Sequence, residues 1–253
     1  MRFVKKIVPV LICCILLQYT AFAQPLRIAV AANAQAVIKL LQADFKKRTG
    51  ISTEAIVGAS GKLSTQIENG APFDIFLSAD MEFPQQLYKK GLTLNKPKVY
   101  AQGILIVCSS NGNVAANWQR LISSGGAGKI AIANPKTAPY GKAAEEALAY
   151  YDLTARAKPN LVYGESISQV NTYITTGVVG VGFTTEAFLY ERESGDAFKW
   201  MRVDPKSYDK IEQGMVVLNH AKKANVKAAM KFADYMSSAP AKGILKQNGY
   251  TIP

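Results

Sequence analysis

Ile56-Val57-Gly58-Ala59-Ser60-Gly61-Lys62 is the stretch that decides the fold. The apolar run 51–57 stops at Gly58-Ala59-Ser60-Gly61, and helix-like spacing resumes with Leu63 and Ile67. This is a strand, a tight turn and a helix start. Glycines in such a turn let backbone approach a ligand, and Ser60 is a good N-cap that also carries a hydroxyl. A helix N-terminus offers unpaired N–H groups and a partial positive charge, which suits an anion.

The same grammar recurs. Residues 26–30 read as a strand, Ala31-Ala32-Asn33-Ala34 as a turn, and Val37, Leu40, Leu41 and Phe45 as one apolar helix face closed by Lys46, Lys47, Arg48 and Gly50. A helix ending near Gly70, a strand at 73–77 and a helix from Ser78-Ala79-Asp80 to Gly91 complete a βαβαβα order, which argues for a parallel sheet covered by helices. A strand at 103–109, a break at Asn111-Gly112-Asn113 and a loop at 123–126 follow. Then βα units resume: 129–133 into 134–141 and a helix through Ala144, Ala147, Leu148 and Tyr151, and 160–163 into Gly164-Glu165-Ser166 and a helix with Val170 and Ile174. A strand at 178–183 and a short helix around Ala187 and Leu189 come next, then a polar, irregular segment at 194–213. The last strand is 214–218, followed by helices at 222–236, with Val226, Met230 and Ala233 inward, and 240–247, with Ile244 and Leu245 inward. Two α/β lobes are expected, each a mostly parallel sheet flanked by helices, with the last helices folding back on the first.

The ends of the chain set the compartment. Arg2, Lys5 and Lys6 precede the apolar run 7–17, and Ala21-Phe22-Ala23 has the small-x-small pattern of a cleavage site, so 1–23 reads as a secretory signal peptide. The apolar run is too short for the ~20 residues of a membrane span. Cys13 and Cys14 lack the small residues that lipidation needs before them. Only Cys108 remains after cleavage, so no internal disulfide can staple the exported protein, and Cys108 reads as a small core residue. Without Arg2, Lys5 and Lys6 the formal net charge of +12 falls to +9. The lysines are scattered and read as solvated helix faces, which argues with export against nucleic acid as a partner.

Candidate ligand groups sit at strand-to-helix turns, where open α/β sheets bind. Asn33 supplies an amide donor and can cap the helix behind it. Ser60 offers a hydroxyl, Tyr140 a phenol, and Ile167 the backbone N–H that opens its helix. None is charged, so an anion there would be held by dipoles. Catalysis is poorly supplied: the only histidine, His220, lies far in sequence from Ser60, and one His with one Cys cannot build a transition-metal cluster. Gly58-Ala59-Ser60-Gly61-Lys62 lacks the spacing of a phosphate-binding Walker sequence. Lys62 reads as solvated, and Asp74 and Asp80 as turn caps.

At Val30-Ala31-Ala32-Asn33, Gly58-Ala59-Ser60-Gly61, 69–74 with Ser78-Ala79-Asp80, Asn134-Pro135 with Ala138-Pro139-Tyr140-Gly141, and Gly180-Val181-Gly182-Phe183, the chain resembles the periplasmic molybdate-binding proteins of ABC importers. The resemblance spans essentially all of the exported chain. It implies a type II periplasmic binding fold that closes on molybdate or tungstate, a monomer without cofactor that meets a membrane permease. Family ligand positions map onto Asn33 and Ser60 in one lobe and the Tyr140 and Ile167 turns in the other. Some members carry serine at the place of Asn33, and some a tyrosine hydroxyl at the place of Phe183; with Phe183 unable to donate, Tyr140 is expected to supply the phenol. The lobes are expected at 24–102 with 219–253 and at 103–218, with hinge crossings near Gln102-Gly103 and Leu218-Asn219. A sulfate or phosphate receptor is the nearest alternative, with Glu165 as the residue that would favour a protonated anion. A secreted hydrolase using Ser60 is the alternative from another class.

Overall fold

The computed structural model describes residues 24–110, 117–191 and 198–253. The signal-peptide reading of 1–23, the break at Asn111-Gly112-Asn113 and the start of the irregular segment at 194–213 lie outside the described residues. In chain order come β1 (Leu26–Ala31), α1 (Gln35–Thr49), β2 (Thr53–Gly58), α2 (Ser60–Glu68), β3 (Ile75–Leu77), α3 (Glu82–Lys89), β4 (Lys98–Gly103) and β5 (Leu105–Ser109). Then follow α4 (Trp118–Ser123), β6 (Ile130–Ala133), α5 (Pro139–Tyr150), α6 (Thr154–Ala157), β7 (Leu161–Gly164), α7 (Ile167–Thr175) and β8 (Val181–Thr185). The chain closes with β9 (Lys199–Arg202), β10 (Ile211–Val217), α8 (Val226–Met236) and α9 (Ala239–Gln247).

Two five-stranded sheets result, ordered β2-β1-β3-β10-β4 and β7-β6-β8-β5-β9. Each has three parallel strands, as the βα repeats require, and two more reached through antiparallel ladders. The sheets are therefore mixed but mostly parallel: four of the five strands in each point one way, and only β10 in the first and β5 in the second run against them. The cause is the double crossing: β10 returns from the second sheet to pair with β3 and β4, while β5 leaves the first to pair with β8 and β9. Because residues 211–217 pair into the first sheet, the return crossing expected at Leu218-Asn219 lies instead before Ile211. Gly103, expected to open the strand of the second sheet, ends β4 opposite Ile211. The two crossings run side by side, with Val203 N–H bonded to Leu105 O at 3.0 Å.

Each sheet is covered by helices. On α1 the buried stripe is Val37, Ile38, Leu41 and Phe45, and Leu40, expected inside, faces solvent. The stripe is set by what covers it: Phe45 meets Phe232 of α8 edge-on at 5.0 Å between ring centroids. On α8 the inward residues are Ala229, Phe232, Ala233 and Met236, one position off the expected face, which leaves Val226 and Met230 exposed. In the second core Trp118 packs edge-on to Phe183 at 5.2 Å. Cys108 is fully buried in β5. A polar clamp ties the first lobe together: Asp74 accepts from Arg27 N–H at 2.9 Å and Asn225 Nδ2 at 2.8 Å and lies 3.1 Å from His220 Nδ1.

Asp80, just ahead of the Met81 N-cap of α3, accepts from Phe83 N–H at 3.2 Å and from the Ser78 hydroxyl at 3.0 Å. Burial outweighs these bonds and pushes its carboxyl up to about 6. The folded protein thus holds a proton that the unfolded chain gives up near pH 4, so stability falls as pH rises from about 4 to 6 and is level above. Asp80→Asn is expected to remove that slope and to stabilise the protein at pH 7.5 by on the order of 2–3 kcal/mol. Melting curves of both proteins across pH 4–8 check it.

Candidate functional site

The four expected turns all stand at the carboxyl ends of parallel strands. Asn33 lies in a short 3-10 turn, Ala32–Ala34, directly after β1. Ser60 is the first residue of α2, two residues past β2. Tyr140 is in the first turn of α5, behind β6, and Ile167 opens α7, behind β7. All four border one cavity between the two sheets, whose walls come from residues 31–33, 59–60, 79, 138–140 and 167. It leaves about 10 Å³ for the centre of a water-sized sphere, so a sugar or an amino acid would not fit without the lobes parting. Among the described residues no charged side chain lines it. Glu165 is exposed beside it, and Phe183 faces Trp118 in the core.

The donors are supplied in two ways. Among the described residues no acceptor partners the backbone N–H of Asn33, Ser60, Tyr140 or Ile167, as helix starts leave them. The hydroxyls are aimed by what stands behind them. Ser60 does not cap α2, since Ala59 occupies that position; its Oγ accepts from Ala79 N–H at 3.0 Å. The Tyr140 oxygen accepts from Thr185 Oγ1 at 3.0 Å, and burial drives its ionisation well above the usual phenol range. In each case the oxygen is occupied and its proton is left for the cavity.

Asn33 departs from expectation. It caps no helix, and its Nδ2 is taken by Gln213 Oε1 at 2.8 Å and the Tyr250 hydroxyl at 3.1 Å. Tyr250 in turn donates to Asn33 O at 2.8 Å. The side-chain amide therefore anchors the turn, and the backbone N–H is the group left for a ligand. Asn33 Oδ1 is buried and has no partner among the described residues.

Ala79, Thr185, Gln213 and Tyr250, which orient these groups, were not singled out by the sequence pattern. Only the Ser78-Ala79-Asp80 stretch carried a signal, and there the donor is a backbone N–H that no side chain announces.

Contacts across the cleft hold the lobes together. Gly61 N–H donates to Thr137 O at 2.9 Å, Ser168 Oγ donates to Gln35 Oε1 at 2.8 Å, and Lys62 pairs with Glu165. Lys62 is thus an exposed ion-pair partner and lines no part of the cavity. His220 is engaged with Asp74, and the Ser60 Oγ contact is a backbone N–H, so these residues do not assemble a Ser–His pair.

Residues 26–251 match the family model described as bacterial extracellular solute-binding protein. The sequence is 34% identical over 238 residues to the molybdate-binding protein ModA of Azotobacter vinelandii, covering 94% of each chain. It is 35% identical over 228 residues to the ModA of Rhodobacter capsulatus, covering 88% of this chain and 86% of that one. The fold matches the solved periplasmic molybdate-binding protein of Azotobacter vinelandii with a TM-score of 0.82 at 29% identity, over 90% of this chain and 99% of that one.

A Cβ on Gly61 would stand 2.9 Å from the Phe83 ring and 3.0 Å from Thr137 Cα across the cleft. Gly61→Ala is therefore expected to weaken oxyanion binding by ~1–3 kcal/mol and to keep the scattering radius of the anion-saturated protein above that of the parent. Lys62→Ala, at an exposed pair, should change affinity by less than ~1 kcal/mol. Calorimetry and small-angle scattering on the three proteins check both.

Proposed function

The chain belongs to the bacterial extracellular solute-binding protein family, and we propose that its solute is molybdate, with tungstate as an alternative cargo. The protein binds the dianion between its lobes outside the cytoplasmic membrane and hands it to the permease of an ABC importer. It works as a monomer, without cofactor and without chemistry on its ligand. Residues 24–103 together with β10 and the C-terminal helices form one moving body and the second sheet forms the other, hinged at the two crossings. Asn33 and Ser60 bind from the first body, Tyr140 and Ile167 from the second.

The observation that carries this reading is the donor standing behind each hydroxyl oxygen. Ser60 and Tyr140 both accept from behind, at 3.0 Å, and so face the cavity as donors. With the four backbone N–H groups they make about six donors to one anion. At ~1.5–3 kcal/mol each these give a gross ~9–18 kcal/mol. Association costs an estimated ~4–15 kcal/mol, which leaves room for micromolar to nanomolar binding. A fully ionised tetrahedral oxyanion needs only donors. The narrow cavity supports a small inorganic ion over an organic phosphate.

A second reading, a hydrogen phosphate receptor, is favoured by one atom. Hydrogen phosphate carries a proton that wants an acceptor, and Asn33 Oδ1 is buried without a partner among the described residues. Thermal melting with molybdate, tungstate, sulfate and phosphate in parallel separates the readings, because a true ligand raises the midpoint at low concentration. Molybdate and tungstate are expected to do so at micromolar levels; a shift with phosphate alone would reverse the assignment. Ser60→Ala and Tyr140→Phe should each weaken molybdate binding by ~1–3 kcal/mol. Calorimetry with unchanged affinity in both variants would remove the site.

A further inference from the structure

Gln213 lies in the middle of β10, fully buried, where the ladder to β4 shifts register between Gln213 and Gly214. It borders no part of the anion cavity, yet its side chain reaches two of the stretches that do, the Asn33 turn and Ala79. Its Oε1 accepts from Asn33 Nδ2 at 2.8 Å. Its Nε2 lies 3.3 Å from Ala79 O and 3.4 Å from Ile211 O and donates toward both. Ala79 carries the effect on as a residue, since the N–H on the other side of its Cα donates to Ser60 Oγ at 3.0 Å. A Cβ on Gly103 would stand 3.0 Å from Gln213 Nε2 and 1.9 Å from the Tyr140 hydroxyl, so both groups converge on the bare Cα of the first crossing.

The polarity of this chain has one consistent direction. Two carbonyl acceptors hold Nε2 on the Ala79 side, which turns Oε1 toward Asn33 and forces Asn33 to present its Nδ2 to Gln213. The Asn33 amide is then spent, and its turn is fixed with the backbone N–H as the ligand donor. On the other side, Ala79 is held by its carbonyl while its N–H occupies the Ser60 oxygen.

We propose that Gln213 is a positioning residue for the oxyanion site, tying the Asn33 and Ser60 turns into one donor array without touching the ligand. The proposal rests on the oxyanion reading above and goes beyond it by locating where the array is aligned. Removing the side-chain amide loosens both turns at once. Replacing it by a carboxyl makes the array depend on protonation: a neutral Glu can accept from Asn33 with one oxygen and donate to Ala79 O with the other, whereas a carboxylate cannot donate. The titratable groups nearby are the phenols of Tyr100, Tyr140 and Tyr250, which burial keeps neutral, and Asp80, next to Ala79, at about 6.

The test titrates micromolar sodium molybdate into the parent, Gln213→Met and Gln213→Glu by calorimetry at about pH 6 and about pH 8.5. Each protein is also melted without ligand. Affinities are read as ratios to the parent at the same pH, which removes the contribution of Asp80. Gln213→Met is expected to bind at least ~10-fold more weakly at both pH values. Gln213→Glu is expected to lose more than that at the higher pH and to recover at least ~10-fold of it at the lower, as its buried carboxyl takes up a proton. Recovery within one variant does not depend on its matching the parent in stability. Gln213→Met binding within about twofold of the parent, or a Gln213→Glu ratio that is the same at both pH values, would overturn the role of Gln213 and leave the oxyanion reading standing. A parent that binds no molybdate would overturn both.

Discussion

Each hydroxyl that faces the cavity has its oxygen occupied from behind. Ser60 is held by the Ala79 N–H and Tyr140 by the Thr185 hydroxyl, both at 3.0 Å. A hydroxyl has one proton to give, and once its oxygen has accepted from a fixed donor, that proton has few other places to go. The orientation is made when the protein folds and not when the ligand arrives. A water-poor interior strengthens such donors, and it also makes an unmatched group expensive. The rest of the structure follows from the need to bring prealigned donors from two sheets to one point without a buried cation.

The two crossings make that possible. Because β5 leaves the first sheet and β10 returns to it, adjacent strands connect the lobes while each sheet keeps three parallel strands whose carboxyl ends face the cleft. Gly103 sits at the base of the first crossing, and the lack of a side chain there admits the Tyr140 hydroxyl. At the rim the contacts are of a different kind. The Lys62–Glu165 pair is exposed on both sides and adds little. Gly61 N–H on Thr137 O requires the backbones themselves to meet, which only a glycine at that position allows.

Much of this could be read from the sequence, because the readable part is local. The strand-turn-helix grammar located Asn33, Ser60, Tyr140 and Ile167 on turns that border one cavity. What failed was what depends on distant partners. Asn33 looked like an amide donor, yet Gln213 and Tyr250, 180 and 217 residues away, take both of its N–H groups. Gln213 stood at the end of a stretch that read as polar and irregular, and β9 and part of β10 were hidden in that stretch for the same reason. The strand β4, with its lysine and glutamine, gives no apolar run. The return crossing was placed too late because an apolar strand carries no mark of which sheet it joins. Leu40, Val226 and Met230 were turned the wrong way by periodicity alone, since either of two adjacent stripes fits the spacing until a neighbouring helix selects one.

On the proposed function, neutral and prealigned donors take a fully ionised anion without any change in protonation. Calorimetric titration of molybdate at pH 8 in several buffers of different ionisation enthalpy reads this out. The phenols around the site are held above their usual range and Asp80 is already ionised there. The observed enthalpy should therefore be the same in every buffer, with no proton taken up or released. An enthalpy that scales with the buffer, at close to one proton per anion bound, would mean that a titrating group, and not a set of neutral donors, holds the ligand.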